Sequence, residues 1–187
     1  VLKSYVLLDR DGTLNVDAGY VYSPERLELI PRAAEAVSLF VELDLEVVVV
    51  TNQSAVGRGM CSLDDVHKTN QRLDELLLQA APGAVVEDYF ICPHAPEDNC
   101  DCRKPKTGLL PGRFLAHAQR GFIVGDKLSD IELGARIGID AKRRFLVQTG
   151  HGAQELARAK KEIESVADYC RVVPSVLGAA EQVRREV

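Results

Sequence analysis

At 187 residues with 46% hydrophobic content, the chain has enough apolar material to bury a sizeable core as one domain spanning 1–187. Its net charge of −5 argues against the cationic excess on which nucleic-acid and anionic-membrane surfaces depend, so an anionic ligand must be attracted by a local group of cations. No apolar stretch approaches the roughly 20 residues needed to span a bilayer, and the amino end lacks the charged and apolar regions of a signal peptide, so a cytoplasmic location is expected.

Apolar runs predict strands near 4–9, 46–51, 86–91, 121–126 and 144–148, with a short one at 168–172. Helical periodicity predicts helices near 31–43, 63–80, 108–118, 129–137, 153–165 and 174–186, with Pro31, Ser62 and Ser129 as start signals. The strand-then-helix order throughout predicts an α/β fold with a doubly wound, mostly parallel sheet. The Val, Ile, Leu and Phe character of the strands suits burial on both faces. Segments 10–30 and 92–106 are the longest irregular connections, and loops of that length in a compact domain are often functional.

Three of the apolar runs stop at chemically capable residues. Val6-Leu7-Leu8 leads into Asp9-Arg10-Asp11-Gly12-Thr13, so Asp9 faces the crevice at the carboxyl end of a strand, where open α/β sheets bind ligands. Two acids this close need a divalent metal, neighbouring Lys and Arg, or a retained proton; capping of a turn is the alternative role for the pair. Val47–Val50 ends in Thr51-Asn52-Gln53-Ser54, and Phe122-Ile123-Val124-Gly125 ends in Asp126 with Asp130 four residues on. Arg103-Lys104-Pro105 adds two cations, and Arg58 and Lys127 are further local candidates. Together these segments suit a Mg²⁺-dependent phosphoryl-transfer site.

A second signal lies in 92–102, where Cys92, His94, Cys100 and Cys102 form two tight pairs and account for three of the five cysteines. Disulfides are rare in the cytosol, so the cluster predicts a tetrahedral, structural Zn²⁺ site, with free buried thiols as the alternative. Four protein ligands leave no position for a catalytic water, so this zinc clamps the loop carrying Arg103 and Lys104. Cys61 and Cys170 lie apart and read as unpaired thiols.

The DRDGT, TNQ, RKP and GDKLSD segments at 9–13, 51–53, 103–105 and 125–130, in this order, resemble the four motifs of the haloacid dehalogenase-type phosphatases. The resemblance covers nearly the whole chain and implies a Rossmann-like core without a cap domain. It also implies catalytic roles for Asp9 as nucleophile, Asp11 as general acid and base, Thr51 as a donor to the phosphoryl group and Lys104 as its neutralising cation. Mg²⁺ would be held by Asp9, the Asp11 carbonyl and Asp126, and Asp130 would orient Lys104 or a metal-bound water. Asn15–Val21, Thr51–Ser54 with Arg58-Gly59, and Gly125–Leu128 are most similar to the heptose 1,7-bisphosphate 7-phosphatase branch, whose zinc loop is comparable. That branch implies substrate contacts from Arg10, Asp17, Ala18 through its backbone, Gly19, Tyr20, Asn52, Gln53, Ser54, Arg103 and Lys127. It further implies a monomer acting on a small sugar phosphate, with no nucleic-acid or membrane partner, in nucleotide-activated heptose synthesis for lipopolysaccharide or another surface glycan. The short stretch between His94 and Cys100 is similar instead to histidinol-phosphate phosphatases, which stand as an alternative. A non-catalytic zinc-stabilised scaffold is a further alternative, opposed by the intact acids.

Overall fold

The computed structural model describes residues 3–163 and 165–187. Six strands, β1 (Ser4–Leu8), β2 (Leu45–Asn52), β3 (Asp88–Cys92), β4 (Gly121–Gly125), β5 (Arg144–Val147) and β6 (Arg171–Val173), form one sheet in the order β3-β2-β1-β4-β5-β6. Every neighbouring pair is parallel, as the βα order predicts. Helices α1 (Ala33–Glu42), α2 (Ser54–Gly57), α3 (Leu63–Ala80), α4 (Gly112–Ala116), α5 (Leu128–Ile137), α6 (Gly152–Glu162), α7 (Val166–Tyr169) and α8 (Val176–Val183) occupy the connections. Among the described residues, no helix is long and apolar enough to cross a membrane.

The two-residue period of the strands divides the core cleanly. Val6, Leu8, Val47, Val49, Val124 and Val147 pack with α1, α3 and α8 through Phe40, Leu73 and Val183. Tyr5, Leu7, Val48, Val50 and Ile123 point the other way, against Phe114 of α4 and Leu133 and Ile137 of α5. A third cluster joins Leu146 to Ile131 of α5 and Ala159 of α6. Helices therefore cover both faces, and the strand ends are left to carry polar groups.

Local chemistry moves several boundaries. The helix expected at 108–118 shrinks to α4 because Pro111 is extended at its amino end, with ψ at 145°. The strand expected at 168–172 gives way to the helical turn α7, followed by β6. The helix expected at 153–165 ends at Glu162; Glu164 lies outside the described residues. The turn α2 directly after β2 has no periodic signal at four residues. Loop 9–32 folds as a flap, tied by main-chain bonds from Val16 to Glu28 and from Ile30 to Leu14, with Leu14, Val21 and Leu27 buried beneath it.

Phe40 is fully buried between α1 and the sheet, so Phe40→Ala leaves a cavity. Urea denaturation should show a stability loss of about 3–5 kcal/mol with an unchanged slope.

Candidate active site

Strand order reverses between β1 and β4, and ligands bind parallel α/β sheets at such a switch point. Asp9 follows β1 and Asp126 follows β4, while Asp130 reaches the same point from the first turn of α5. Carboxylate oxygens of all three lie within 4.8 Å of one another. Lys104 enters from the far side of β2: its Nζ stands 2.7 Å from Asp9 Oδ1, 2.7 Å from Asp130 Oδ1 and 2.5 Å from the Val50 carbonyl. Asn52 fixes its backbone, accepting from Lys104 N at 3.0 Å and donating to its carbonyl at 3.3 Å. Gly12 has φ +86°, and a Cβ there would lie 2.2 Å from Asp126 Oδ2, so only glycine admits the carboxylate.

Charge balance decides what this point can bind. Burial, the largest influence on Asp9, would raise its pKa, but Lys104 and Lys127 outweigh it and hold the carboxyl below its usual range. Burial likewise opposes the charge on Lys104, and Asp130 and Asp9 more than restore it. Asp126 is pushed up to about 8 by burial and by Asp9, and Asp130 to about 6 by burial against the pull of Lys104. Asp126 Oδ2 accepts from His151 N at 2.8 Å, whereas buried Oδ1 has, among the described residues, no hydrogen-bond donor and only Lys127 Nζ at 3.8 Å. An orphaned carboxylate oxygen beside a second acid is a fitting donor set for a hard divalent cation.

Asp11 is oriented by a ring of donors. Arg10 Nη2 lies 3.0 Å from both of its oxygens, Asn15 Nδ2 is 2.9 Å from Oδ1, and Gln53 Nε2 is 2.7 Å from Oδ2. Gln53 Nε2 also donates to Thr51 Oγ1 at 2.9 Å, so the first two motifs meet through one amide. Above them opens a cleft of about 370 Å³, lined by residues that include Asp17, Gly19, Tyr20, Asn52, Gln53, Ser54, Arg103 and Lys127. Asp9, Thr51, Lys104 and Asp130 line its narrow floor.

Three expected residues lie elsewhere. The Arg10 side chain is fully buried, donating to Asn70 Oδ1 at 2.9 Å and to the Val21 carbonyl at 2.6 Å, so it orients Asp11 rather than facing the cleft. Ala18 is exposed at the flap tip and is absent from the cleft wall. Arg58 pairs with Glu97 at 3.1 Å on the outside of the zinc loop. Conversely, Ser129 and His151 line the cleft without having been foreseen, and Thr149 Oγ1 donates to the Gly12 carbonyl at 2.6 Å. Their signal was present: Phe145-Leu146-Val147 ends in Gln-Thr-Gly-His, the same apolar-to-polar transition that marks the other strand ends.

The four predicted zinc ligands converge. Cys92 Sγ lies 3.7 Å from Cys100 Sγ and 3.3 Å from Cys102 Sγ, and His94 Nδ1 lies 3.1 Å from Cys102 Sγ. No disulfide joins these cysteines, and the spacings suit the edges of a tetrahedron with metal bonds of about 2.0–2.3 Å. Burial pushes the Cys92 thiol up to about 12, so a metal must displace its proton. The loop is fastened to the site: Cys92 and Pro93 carbonyls accept from Gln53 N and Gly57 N, both at 2.8 Å.

No protein-family model matches the chain. A structure from Mesorhizobium loti described as a HAD-like phosphatase is 28% identical, with a TM-score of 0.76 over 97% of this chain and 85% of its own. This likeness, with the sheet order and the acids gathered at its switch point, sets this chain in the class of haloacid dehalogenase-type phosphatases. Within that class, a D-glycero-β-D-manno-heptose-1,7-bisphosphate 7-phosphatase from Bordetella bronchiseptica is 33% identical over 97% of this chain and 98% of its own. Its counterpart in Pseudomonas aeruginosa is 35% identical over 94% and 98%. A crystal structure of the D,D-heptose 1,7-bisphosphate phosphatase from B. bronchiseptica, complexed with magnesium and phosphate, superposes with a TM-score of 0.81 over 98% of this chain and 99% of that one. This chain belongs to the D-glycero-β-D-manno-heptose-1,7-bisphosphate 7-phosphatase family.

Two outcomes follow from the charges and thiols. Asp126 is protonated in the folded, divalent-free protein up to about pH 8 but ionises near 4 when unfolded, so its contribution to stability is lost as pH rises through that window. Between pH 6.5 and 8.5, thermal or urea unfolding of zinc-loaded, magnesium-free protein should show stability falling by up to about 1.4 kcal/mol per unit, and Asp126→Asn should flatten that slope. Cys102→Ser should remove stoichiometric zinc, measured by elemental analysis, and lower the melting temperature.

Proposed function

We propose that this chain is a Mg²⁺-dependent phosphatase that removes the 7-phosphate of D-glycero-β-D-manno-heptose 1,7-bisphosphate and leaves the 1-phosphate. The observation that carries the reading is the buried Lys104 ion-paired with Asp9 and Asp130 beside an Asp126 oxygen that accepts no hydrogen bond among the described residues, at the switch point of a sheet shared with the heptose phosphatases. Asp9, Asp126 and the Asp11 carbonyl would hold Mg²⁺, which when bound neutralises phosphoryl oxygens and so lets a carboxylate approach a dianion.

The chain's own groups supply the remaining chemistry. Asp9 attacks phosphorus and the bond to the sugar oxygen breaks, leaving an aspartyl-phosphate. Asp11 gives a proton to the departing oxygen and later takes one from the water that cleaves the intermediate. Lys104 and Thr51 stabilise the equatorial oxygens, and Lys104 also keeps Asp9 ionised. Among the described residues no carboxylate is ion-paired with Arg103, whose guanidinium donates only to the His94 carbonyl at 3.3 Å. That leaves it free to grip the phosphate that is not transferred, by paired hydrogen bonds. Asp17, Gly19, Tyr20, Asn52, Gln53, Ser54 and Lys127 surround the sugar. The structural zinc at Cys92, His94, Cys100 and Cys102 keeps Arg103 and Lys104 in register.

The histidinol-phosphate alternative rested on the short zinc loop. The heptose-phosphatase relatives, which align over more than nine-tenths of this chain, weigh against it. The scaffold alternative is weighed down by the assembled acids and lysine. We further read the chain as one phosphatase domain, monomeric and cytoplasmic, with no nucleic-acid or membrane partner, whose product supplies nucleotide-activated heptose for a surface glycan.

Purified protein with Mg²⁺ should release phosphate from heptose 1,7-bisphosphate with loss of the 7-phosphate signal in phosphorus NMR. Asp9→Asn should be inactive, and Asp11→Asn should lower kcat by about 10²–10⁴-fold. Preferential turnover of histidinol phosphate, or loss of the 1-phosphate, would overturn the reading.

A further inference from the structure

His151 has no part in the chemistry above, yet it occupies a junction. It follows β5 at the amino end of α6, and its main-chain N–H donates to Asp126 Oδ2 at 2.8 Å. Its side chain turns the other way, placing Nε2 3.1 Å from Asp17 Oδ2. Asp17 belongs to the flap, is nearly buried, and accepts from Gly19 N on its other oxygen at 3.0 Å. Lys127 Nζ also approaches Asp17 Oδ2, at 3.4 Å. Asp17, Gly19, Tyr20 and His151 all line the cleft.

The two side-chain nitrogens on Asp17 differ in what they can do. An ammonium on a flexible stem acts as a point charge and leaves a carboxylate free to turn. An imidazole nitrogen is directional and, set on a helix end, fixes the carboxylate plane. The contact also spans the mouth of the site, from the flap after β1 to the end of β5.

We propose that His151 is a positioning residue for substrate specificity: it holds Asp17, and with it the Asp17–Val21 flap, in the orientation that reads the sugar hydroxyls. This inference rests on the sugar-phosphate reading above. Its side chain can be altered while the backbone bond to Asp126 stays in place, so sugar recognition and metal binding are separable.

The experiment measures kcat and KM for heptose 1,7-bisphosphate and the half-saturating Mg²⁺ concentration in wild type, His151→Ala, His151→Gln and His151→Asn. Loss of one hydrogen bond should raise KM about 5–10-fold in the alanine variant, with kcat and Mg²⁺ half-saturation within about twofold of wild type. Glutamine, long enough to donate to Asp17, should recover KM to within about threefold, and the shorter asparagine should not. Should alanine lower the melting temperature by more than about 5 °C, the glutamine and asparagine pair decides the matter. A KM unchanged in alanine and asparagine overturns the inference, as does a rise in KM matched by an equal rise in Mg²⁺ half-saturation. Wild type that turns over other phosphomonoesters but not the heptose bisphosphate overturns the functional reading, and the inference with it.

Discussion

Three carboxylates are gathered where water is scarce, and one buried ammonium makes that possible. Asp9, Asp126 and Asp130 would repel one another from the end of the sheet without Lys104, whose Nζ bonds two of them and a main-chain carbonyl. Removing one member of such a buried group leaves uncompensated charge, which costs several kcal/mol. The environment then sorts chemically identical side chains. Asp9, nearest the cations, stays ionised, whereas Asp126, beside Asp9, holds a proton until a divalent cation replaces it.

That lysine comes from a loop, and loops are poor places to hold a charge within a few tenths of an ångström. The chain meets this with three fastenings. Asn52 bonds both polar groups of the Lys104 backbone, the Cys92 and Pro93 carbonyls tie the loop root to the turn after β2, and the cysteine and imidazole cluster is placed to close the loop on a metal. Zinc held by this cluster would therefore serve the site without touching substrate, by fixing the distance between Lys104 and Asp9.

Much of this was legible in the sequence because it depends on short-range patterns. Strands buried on both faces read as continuous Val and Leu runs, and their ends announce themselves where apolar residues stop at Asp9, Thr51 and Asp126. The convergence of Cys92, His94, Cys100 and Cys102 was legible because Cys and His pairs seldom cluster otherwise. What escaped notice was set by tertiary context. Arg10 sits between Asp9 and Asp11, and the packing of α3 and the flap, which brings Asn70 and the Val21 carbonyl to its guanidinium, turns it away from the cleft. Ala18 lies between two cleft residues, but the flap's turn points it outward. His151 carries no motif of its own, and its meaning comes from the approach of Asp17, 134 residues away. The short helix α4 yielded to Pro111, a local rule that outranked periodicity.

The same charge balance explains how an acidic protein can take an anionic substrate. At the floor of the cleft, Asp9, Asp11 and Asp130 are balanced by Lys104, Lys127 and the Arg10 guanidinium behind Asp11, so a phosphate dianion meets no net attraction until a divalent cation tips the sum. A cation at Asp126 is in turn stabilised by the phosphate it faces. Binding free energies are reciprocal, so each ligand must tighten the other by the same factor. Arg103 lies outside that balance, on the cleft wall. In the proposed reaction it would give the second phosphate a grip that does not depend on the metal. On that reading a substrate with phosphates at both ends would gain affinity at one end while the other end waits for the cation, which would favour doubly phosphorylated sugars over singly phosphorylated ones without any change at Asp9.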